Sequence, residues 1–425
     1  MSQNTLKRPA KGQQIANHTI FTGDNLDIMR GMDSESIDLI YLDPPFNSNR
    51  HYAAPIGSKA AGAEFKDAWT FEDTKDAWWG LIADEHPALY KVIDAAGDVG
   101  NEGDKAYLIY MAMRLLEMHR ILKPTGSIYL HCDPTMSHSL KMTMDAVFGK
   151  ESYQNEIIWN YRRWPAKQQR FQRMHDTIYF YRRDDSKQNA VWNQLFEPLA
   201  ASTQKTFGEK KQVADFSSGK RKPSVKNEKT KGAPMRDVWD IGVIAPVAKE
   251  RTGYPTQKPL ALLKRIIEAS SNEGDVVLDP FCGCATACLA AEDLHRQWIG
   301  IDISPLAATL IAERMDNELG MFSEVFHRKD IPMRTEDAPP PSRDINHTLF
   351  GKQEGKCNGC GHSFPFQNFT RDHIVPSKRG GPDTDKNLQL LCGRCNSVKG
   401  DRTMEYLIAR LKEDGIIGDT GVKGR

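Results

Sequence analysis

The chain has 425 residues, 39% of them hydrophobic, and a formal net charge of +1. That is too long for one average domain and rich enough in apolar residues to core about two or three. No apolar run approaches the ~20 residues of a membrane-spanning helix, and Lys7, Arg8 and Lys11 are followed by no apolar segment of the kind a secretory signal carries. Near-neutral total charge names no partner, so the placement of charge and of the eight cysteines carries the information.

From residue 18 the chain reads as a strand, a turn at Asp24-Asn25 and a short helix through Met29. On these residues alone, Asp24 is a helix cap sooner than a ligand. The apolar run 37–42 predicts a buried strand of a parallel sheet. It stops at Asp43-Pro44-Pro45-Phe46. Two prolines fix the backbone and remove two amide donors, and Asp43 falls at the carboxyl end of a strand, where open α/β sheets hold ligands. The Asp43 carboxylate and the Asp43 and Pro44 carbonyls form an acceptor-only site beside the Phe46 ring, suited to a planar amine. A Pro-rich turn without a ligand explains the same residues.

Residues 47–104 are polar and carry Trp69, Trp78 and Trp79; Arg50, His51 and Lys59 are phosphate contacts or solvated loop residues on equal terms. Leu108, Met111, Leu115, Met118 and Leu122 recur at helical spacing, predicting a helix over 105–122 that stops before Pro124 and Gly126. A strand over 126–132, a helix over 135–148 and a strand over 155–160 follow. Alternating strands and helices predict an α/β fold with a doubly wound, mostly parallel sheet. Residues 161–235 then hold 17 Lys and Arg against 7 acids, a local charge of +10, with aromatics interleaved from Tyr161 to Tyr181. Such a segment attracts phosphates, and Arg162, Arg163, Lys167, Arg170 and Arg173 are its candidate DNA contacts. Gly253 to Pro259 opens a helix running to Ser271, with proline in its first turn. Residues 275–279 predict a strand entering the turn Asp279-Pro280-Phe281-Cys282-Gly283-Cys284. Gly283 lets backbone approach a ligand, and a helix starting near Ala285 offers amide donors to an anion. The strand 298–302 ends in Asp302, placed to accept two ribose hydroxyls.

The pair Asp43-Pro44-Pro45-Phe46 and Asp279-Pro280-Phe281-Cys282-Gly283 resembles the DNA amino-methyltransferases, which move a methyl group from S-adenosylmethionine to adenine N6 or cytosine N4. The target-amine stretch precedes the cofactor stretch, an order similar to the permuted β group. The resemblance covers residues 18 to about 330 and implies a class I methyltransferase fold. It implies that Asp43, Pro44, Pro45 and Phe46 hold the target amine. Asp24, Asn25, Asp43, Thr256, Lys258, Asp279, Phe281, Gly283 and Asp302 are implied to bind S-adenosylmethionine, Asp24 at its adenine and Thr256 and Lys258 at its methionine end. Cys284 stands where the family usually has a second glycine. An Asp at the head of the target motif, where cytosine enzymes more often have Ser, leans toward adenine N6, with cytosine N4 as the alternative. The resemblance also places the chain among restriction–modification enzymes, in the cytoplasm of a prokaryotic or phage-like system, with double-stranded DNA as partner, no membrane, and a homodimer left open.

In the tail, Cys357-x-x-Cys360 and Cys392-x-x-Cys395 supply four thiolates for a tetrahedral structural zinc; without a secretory signal the pairs read as metal ligands rather than disulfides. With Asp372-His373, Gly380-Gly381, Asn387 and Asn396 they resemble the zinc-containing HNH nucleases, a small ββα-metal fold. That resemblance makes His373 the general base and Asp372 and Asn396 ligands of Mg²⁺, with Asn387 orienting the site; Asn396 stands where the family often has a histidine. The other reading is a nuclease-derived zinc module that only binds DNA. The expected organisation is 1–160 target-amine half, 161–250 basic target-recognition insert, 251–334 cofactor half, 335–350 Pro-rich linker, 351–412 zinc domain and 413–425 tail. The expected function is a site-specific DNA amino-methyltransferase. A Mg²⁺-dependent endonuclease using the first domain for target recognition is the alternative of another class.

Overall fold

The structure, a computed structural model, describes residues 14–47, 50–53, 64–67, 76–165, 167, 169–184, 190–217, 219–220, 222–319, 325–336 and 345–418. Lys59, Trp69 and the three linker prolines lie outside the described residues, as do the side chains of Arg50 and His51.

Nine strands form one sheet. In chain order they are β1 (Thr19–Thr22), β2 (Ile37–Leu42), β3 (Leu122–Cys132), β4 (Tyr153–Asn160), β5 (His175–Arg182), β6 (Val238–Asp240), β7 (Val276–Asp279), β8 (Gln297–Asp302) and β9 (Phe326–Arg328). Their spatial order is β6-β4-β5-β3-β2-β7-β8-β1-β9. Every pairing is parallel except the two made by β5. Chain order reverses between β2 and β7, which pair directly through Leu39↔Val277 and Ile40↔Leu278. This is the switch point, and both Asp-Pro stretches leave the sheet there.

Alternation along the strands splits the core in two. Ile40, Leu42 and Leu278 face one side, covered by α2 (Asp76–Glu85), α3 (Pro87–Val99), α4 (Glu102–Ile121) and α5 (Ser137–Phe148), with the short α1 (Asn25–Gly31) beside them. Leu39, Tyr41 and Val277 face the other, covered by α6 (Leu260–Ser270), α7 (Thr286–Asp293) and α8 (Pro305–Leu319). A central strand buried on both faces needs the mostly apolar stretch seen at 37–42, where the one charged residue, Asp38, is paired with Lys123. The expected doubly wound, mostly parallel sheet is present.

Two expectations change. The basic insert is not separate from the sheet: β5 is a central strand, and Tyr179, Phe180 and Tyr181 are buried in it. Its aromatic residues satisfy the core on both faces, and the surrounding lysines and arginines masked that in the sequence. The expected linker 335–350 is partly helical. Helix α9 (Ile345–Lys352) packs on α2, where a Cβ on Gly80 would sit 2.3 Å from the His347 carbonyl, so only glycine admits the helix. Phe350, Leu388 and Leu390 join the main core. The C-terminal unit is thus docked, with β10 (Phe369–His373) and β11 (Leu388–Cys392) antiparallel, then α10 (Gly393–Lys399) and α11 (Met404–Glu413). Among the described residues no helix is long and apolar enough to cross a membrane.

Candidate active site

At the carboxyl ends of β1, β2, β7 and β8 lies a cavity of about 520 Å³. All candidate amine and cofactor residues line it, from Asp24 and Asn25 through Asp43–Phe46, Thr256 and Lys258 to Asp279, Phe281, Gly283 and Asp302. Tyr110, Arg114 and Tyr254 line it too and were not read from the sequence.

Asp43 sits where β2 ends. Its Oδ2 is paired with the Lys258 ammonium, a buried ion pair linking residues 215 apart. Its other oxygen, Oδ1, is buried with no hydrogen-bond partner among the described residues. A buried acceptor left without a donor is costly, so Oδ1 is poised for a donor that a ligand supplies. Phe46 stacks beside His131, with ring centroids 5.9 Å apart, and the Lys258 ammonium stands 5.3 Å from the Phe46 centroid. Behind them runs a buried polar chain. Tyr41 Oη bonds His131 Nδ1 at 2.9 Å, His131 Nε2 meets Asp176 Oδ2 at 3.2 Å, and Tyr161 Oη donates to Asp176 Oδ1 at 2.9 Å. Burial pushes the Asp176 carboxyl up, but His131, the Lys258 charge and the Tyr161 hydrogen bond together hold the group below its ordinary value. The sequence hinted at none of these long-range partners.

On the cofactor side, Asp24 caps α1, its Oδ1 accepting from Leu26 N at 2.9 Å and from Arg114 Nη2 at 2.8 Å. Asn25 accepts from Arg114 Nε at 2.6 Å and donates to the Pro280 carbonyl at 2.7 Å. Oxygen and nitrogen each make one bond, so Asn25 fastens α1 to the turn after β7 while lining the cavity. Asp302 accepts from Gly283 N and Ser304 N, each at 2.8 Å. It therefore braces the turn as well as facing the cavity. Burial raises its carboxyl, against those two N–H bonds. Asp279 is raised well above the ordinary carboxylate range, chiefly by burial, with Asp43 and Asp302 adding to the effect against the Phe281 N–H.

Gly283 has φ +50° and a Cβ there would meet the Tyr254 ring at 2.9 Å, so the residue must be glycine. The second left-handed residue is Ala285 at φ +53°, and Cys284 is not left-handed. The missing glycine at 284 is therefore no obstacle. The Cys284 carbonyl is held by buried Arg314 Nη1 at 2.6 Å, and α7 starts one residue later than expected, at Thr286. The loop before α6 is fixed by Gln257, which bonds Thr252 and the Glu250 carbonyl, and it aims Lys258 at Asp43.

Arg162, Arg163, Lys167, Arg170 and Arg173 are exposed on a loop closed at its root by Tyr161 N donating to the Met174 carbonyl at 2.9 Å. In the C-terminal unit, ligand atoms of Cys357, Cys360, Cys392 and Cys395 lie within 4.8 Å of one another. Gly359 N and Cys392 N point at Cys357 Sγ at 3.4 and 3.2 Å. Four buried sulfurs with backbone donors fit a tetrahedral zinc. The expected Mg²⁺ ligand Asp372 has partners within the protein. Both oxygens of Asp372 face the buried Lys399 ammonium, at 3.2 and 3.0 Å, and Gln389 Nε2 donates to it at 2.8 Å. A divalent ion at Asp372 would compete with that ammonium, and Asn396 would add a neutral ligand. Among the described residues, the four cysteines are the one group of three or more metal-capable side chains. His373 Nε2 meets Asp383 Oδ1 at 3.2 Å. Asn387 pins the loop after His373 by bonds to Val375 N, Val375 O and Pro382 O at 2.8–3.0 Å.

A doubly wound sheet with a ligand crevice at its switch point and an unsatisfied acceptor beside an aromatic ring defines an α/β enzyme that binds a small ligand and a planar donor. The DNA methylase family model matches residues 37–313, and the chain belongs to that family. An HNH endonuclease model matches residues 357–402. The chain is 27% identical over 300 residues to the type II methyltransferase M.HpaI of Haemophilus parainfluenzae, covering 71% of this chain and 74% of that one. It is 28% identical over 299 residues to the DNA adenine methyltransferase YhdJ of Escherichia coli K12, covering 70% and 82%. A putative DNA modification methylase of Thermus thermophilus, solved with S-adenosyl-L-methionine, aligns at 18% identity and TM-score 0.42, covering 76% of this chain and all of that one.

Proposed function

We propose that the protein transfers a methyl group from S-adenosylmethionine to the exocyclic amine of a base flipped out of double-stranded DNA, adenine N6 being the target. What carries the reading is the Asp43 carboxylate at the cavity wall: one oxygen is paired with Lys258, and the other is buried with no hydrogen-bond partner among the described residues. Membership of the DNA methylase family supports it. The E. coli relative carries an adenine-methyltransferase name, which favours adenine.

The residues lining the cavity fit the cofactor: Asp302, Gly283 and the turn after β7 on one side, and Asp24 and Arg114 on the other. When bound, S-adenosylmethionine supplies an electrophilic methyl group. The chain's part is to bind, orient and exclude water. Phe46 stacks on the extruded base. Asp43 Oδ1 and the Pro44 carbonyl accept the two amine hydrogens, which turns the nitrogen lone pair toward the cofactor side of the cavity. The amine is weakly basic, so positioning supplies much of the rate. Incubation of DNA with methyl-labelled cofactor, followed by digestion to nucleosides, tests the reading. N6-methyladenine is expected, N4-methylcytosine would move the target while keeping the mechanism, and no label in DNA would refute it.

A second reading attaches to the C-terminal unit. The His373–Asp383 pair has the form of a base held by an orienting carboxylate, which favours phosphodiester hydrolysis. Loss of DNA nicking in His373→Ala is the expected result, and equal nicking by wild type and variant would remove it.

A further inference from the structure

The loop between β4 and β5 carries two large apolar side chains that are exposed among the described residues. Trp164 is 92% exposed and Phe171 is 100% exposed. Most large aromatics in this segment are buried, Tyr161 and Tyr179 among them, so this exposure is not a property of the region. The two arms are tied together by Gln172 Nε2 donating to the Trp164 carbonyl at 3.0 Å. Between 162 and 173 the sequence holds five cations and no acid.

The place of this loop is set by topology. Strand β4 runs parallel to β2 and β7 within the sheet, so its carboxyl end lies on the same sheet edge as Asp43 and Asp279. The root of the loop is joined to the amine site through side chains. Tyr161 Oη donates to Asp176, Asp176 meets His131, and His131 stacks beside Phe46. The loop is therefore anchored beside the pocket that receives the extruded base, and it projects its aromatic and cationic groups outward.

We propose that Trp164 and Phe171 form a wedge that enters the DNA stack and fills the space the target nucleotide leaves, while the flanking arginines hold the backbone. The inference rests on the proposed methyl transfer to a flipped base. An apolar side chain inserted at a base step unstacks it and stabilises the opened form, and base–aromatic stacking is tolerant of sequence. Duplex DNA is the occupant that the charge selects: a cationic rim around an apolar tip matches phosphates around exposed base faces.

The test uses the full-length protein and two duplexes carrying the site that the wild type methylates: one with 2-aminopurine or pyrrolocytosine at the methylated position for fluorescence, and one with the natural base there for transfer, since neither probe keeps the accepting amine. For Trp164→Ala with Phe171→Ala, the expected result is a loss of most of the fluorescence rise on binding. Single-turnover transfer falls about tenfold or more, while S-adenosylmethionine affinity and duplex affinity change by less than about threefold, since the arginines remain. A mismatch opposite the target lowers the energy of flipping and restores transfer in the variant. A merely structural role would not give that rescue. Wild-type fluorescence and transfer in the double variant would overturn the wedge but leave methyl transfer standing. Equal loss on matched and mismatched duplex would also overturn it, marking the patch as a plain docking surface. A wild type that labels no DNA would remove both the wedge and the reading beneath it.

Discussion

Strands β2 and β7 lie side by side at the centre of the sheet, and each ends in an Asp-Pro step, Asp43-Pro44 and Asp279-Pro280. The environments of the two carboxyls differ. Asp43 has the Lys258 ammonium on one oxygen and an open acceptor on the other. Asp279 has no ion pair among the described residues, accepts from Phe281 N at 3.1 Å, and is raised chiefly by burial and also by the charges of Asp43 and Asp302, against the Phe281 N–H and the Lys258 charge. A second prolyl residue keeps the Asp43 turn free of donors, whereas Gly283 lets the Asp279 turn present N–H groups. The same dipeptide thus has a cation on one carboxylate oxygen in one strand and accepts from the amide of its own turn in the next. The difference lies in one long-range cation.

Four substitutions break or sharpen that contrast. The largest effect is expected for Asp43→Ala, which removes the acceptor: methyl transfer falls by about 10³-fold or more while S-adenosylmethionine still binds, checked by turnover alongside calorimetry. Next comes Lys258→Met. It removes the cation from a buried carboxyl, and kcat falls about 100-fold through misplacement, more than cofactor affinity falls. Equal losses in both would make Lys258 chiefly a cofactor ligand. Asp302→Ala removes the acceptor for Gly283 N and Ser304 N and loosens the turn; S-adenosylmethionine binding weakens about tenfold or more by calorimetry, as expected when hydrogen bonds to a charged group are lost.

The smallest effect on activity is expected for Asp279→Asn, and it appears in stability. A carboxyl raised in the folded state keeps its proton where the unfolded chain has lost it. Its contribution is therefore full below the unfolded value of about 3.9 and declines as pH rises from there toward the raised value. The amide carries no such dependence. The melting temperature of Asp279→Asn should gain on the wild type by ~2 °C or more as pH rises above about 4. A constant difference across pH would mean that Asp279 is ionised in the fold.

Much of this site was legible in the sequence because its parts are local. A strand of six residues, five of them hydrophobic, ending in Asp-Pro-Pro marks a strand end whatever surrounds it, and the turn 279–284 is likewise one short stretch. The partners were not legible. Lys258 meets Asp43 across 215 residues, and Arg114 is one cation on an amphipathic helix until the fold brings it to Asp24 and Asn25. Strand β5 was hidden because periodicity cannot tell a buried aromatic from one awaiting a base. Tyr179 to Tyr181 proved to be core, while Trp164 and Phe171 in the same composition are exposed. Helix α9 was hidden by its prolines upstream, although Phe350 is fully buried against α2 and the main core.

The contrast between the two Asp-Pro steps is tested most directly by single-turnover methyl transfer in Asp43→Asn and Asp279→Asn, measured side by side with saturating cofactor on the same DNA. Each change keeps shape and removes one ionisable carboxyl. Transfer is expected to fall about 100-fold or more for Asp43→Asn, because a charged acceptor is replaced by a group that also donates. For Asp279→Asn it should stay within about threefold of wild type, because an amide resembles a protonated carboxyl. Equal losses in the two variants, or a larger loss at Asp279, would contradict the account.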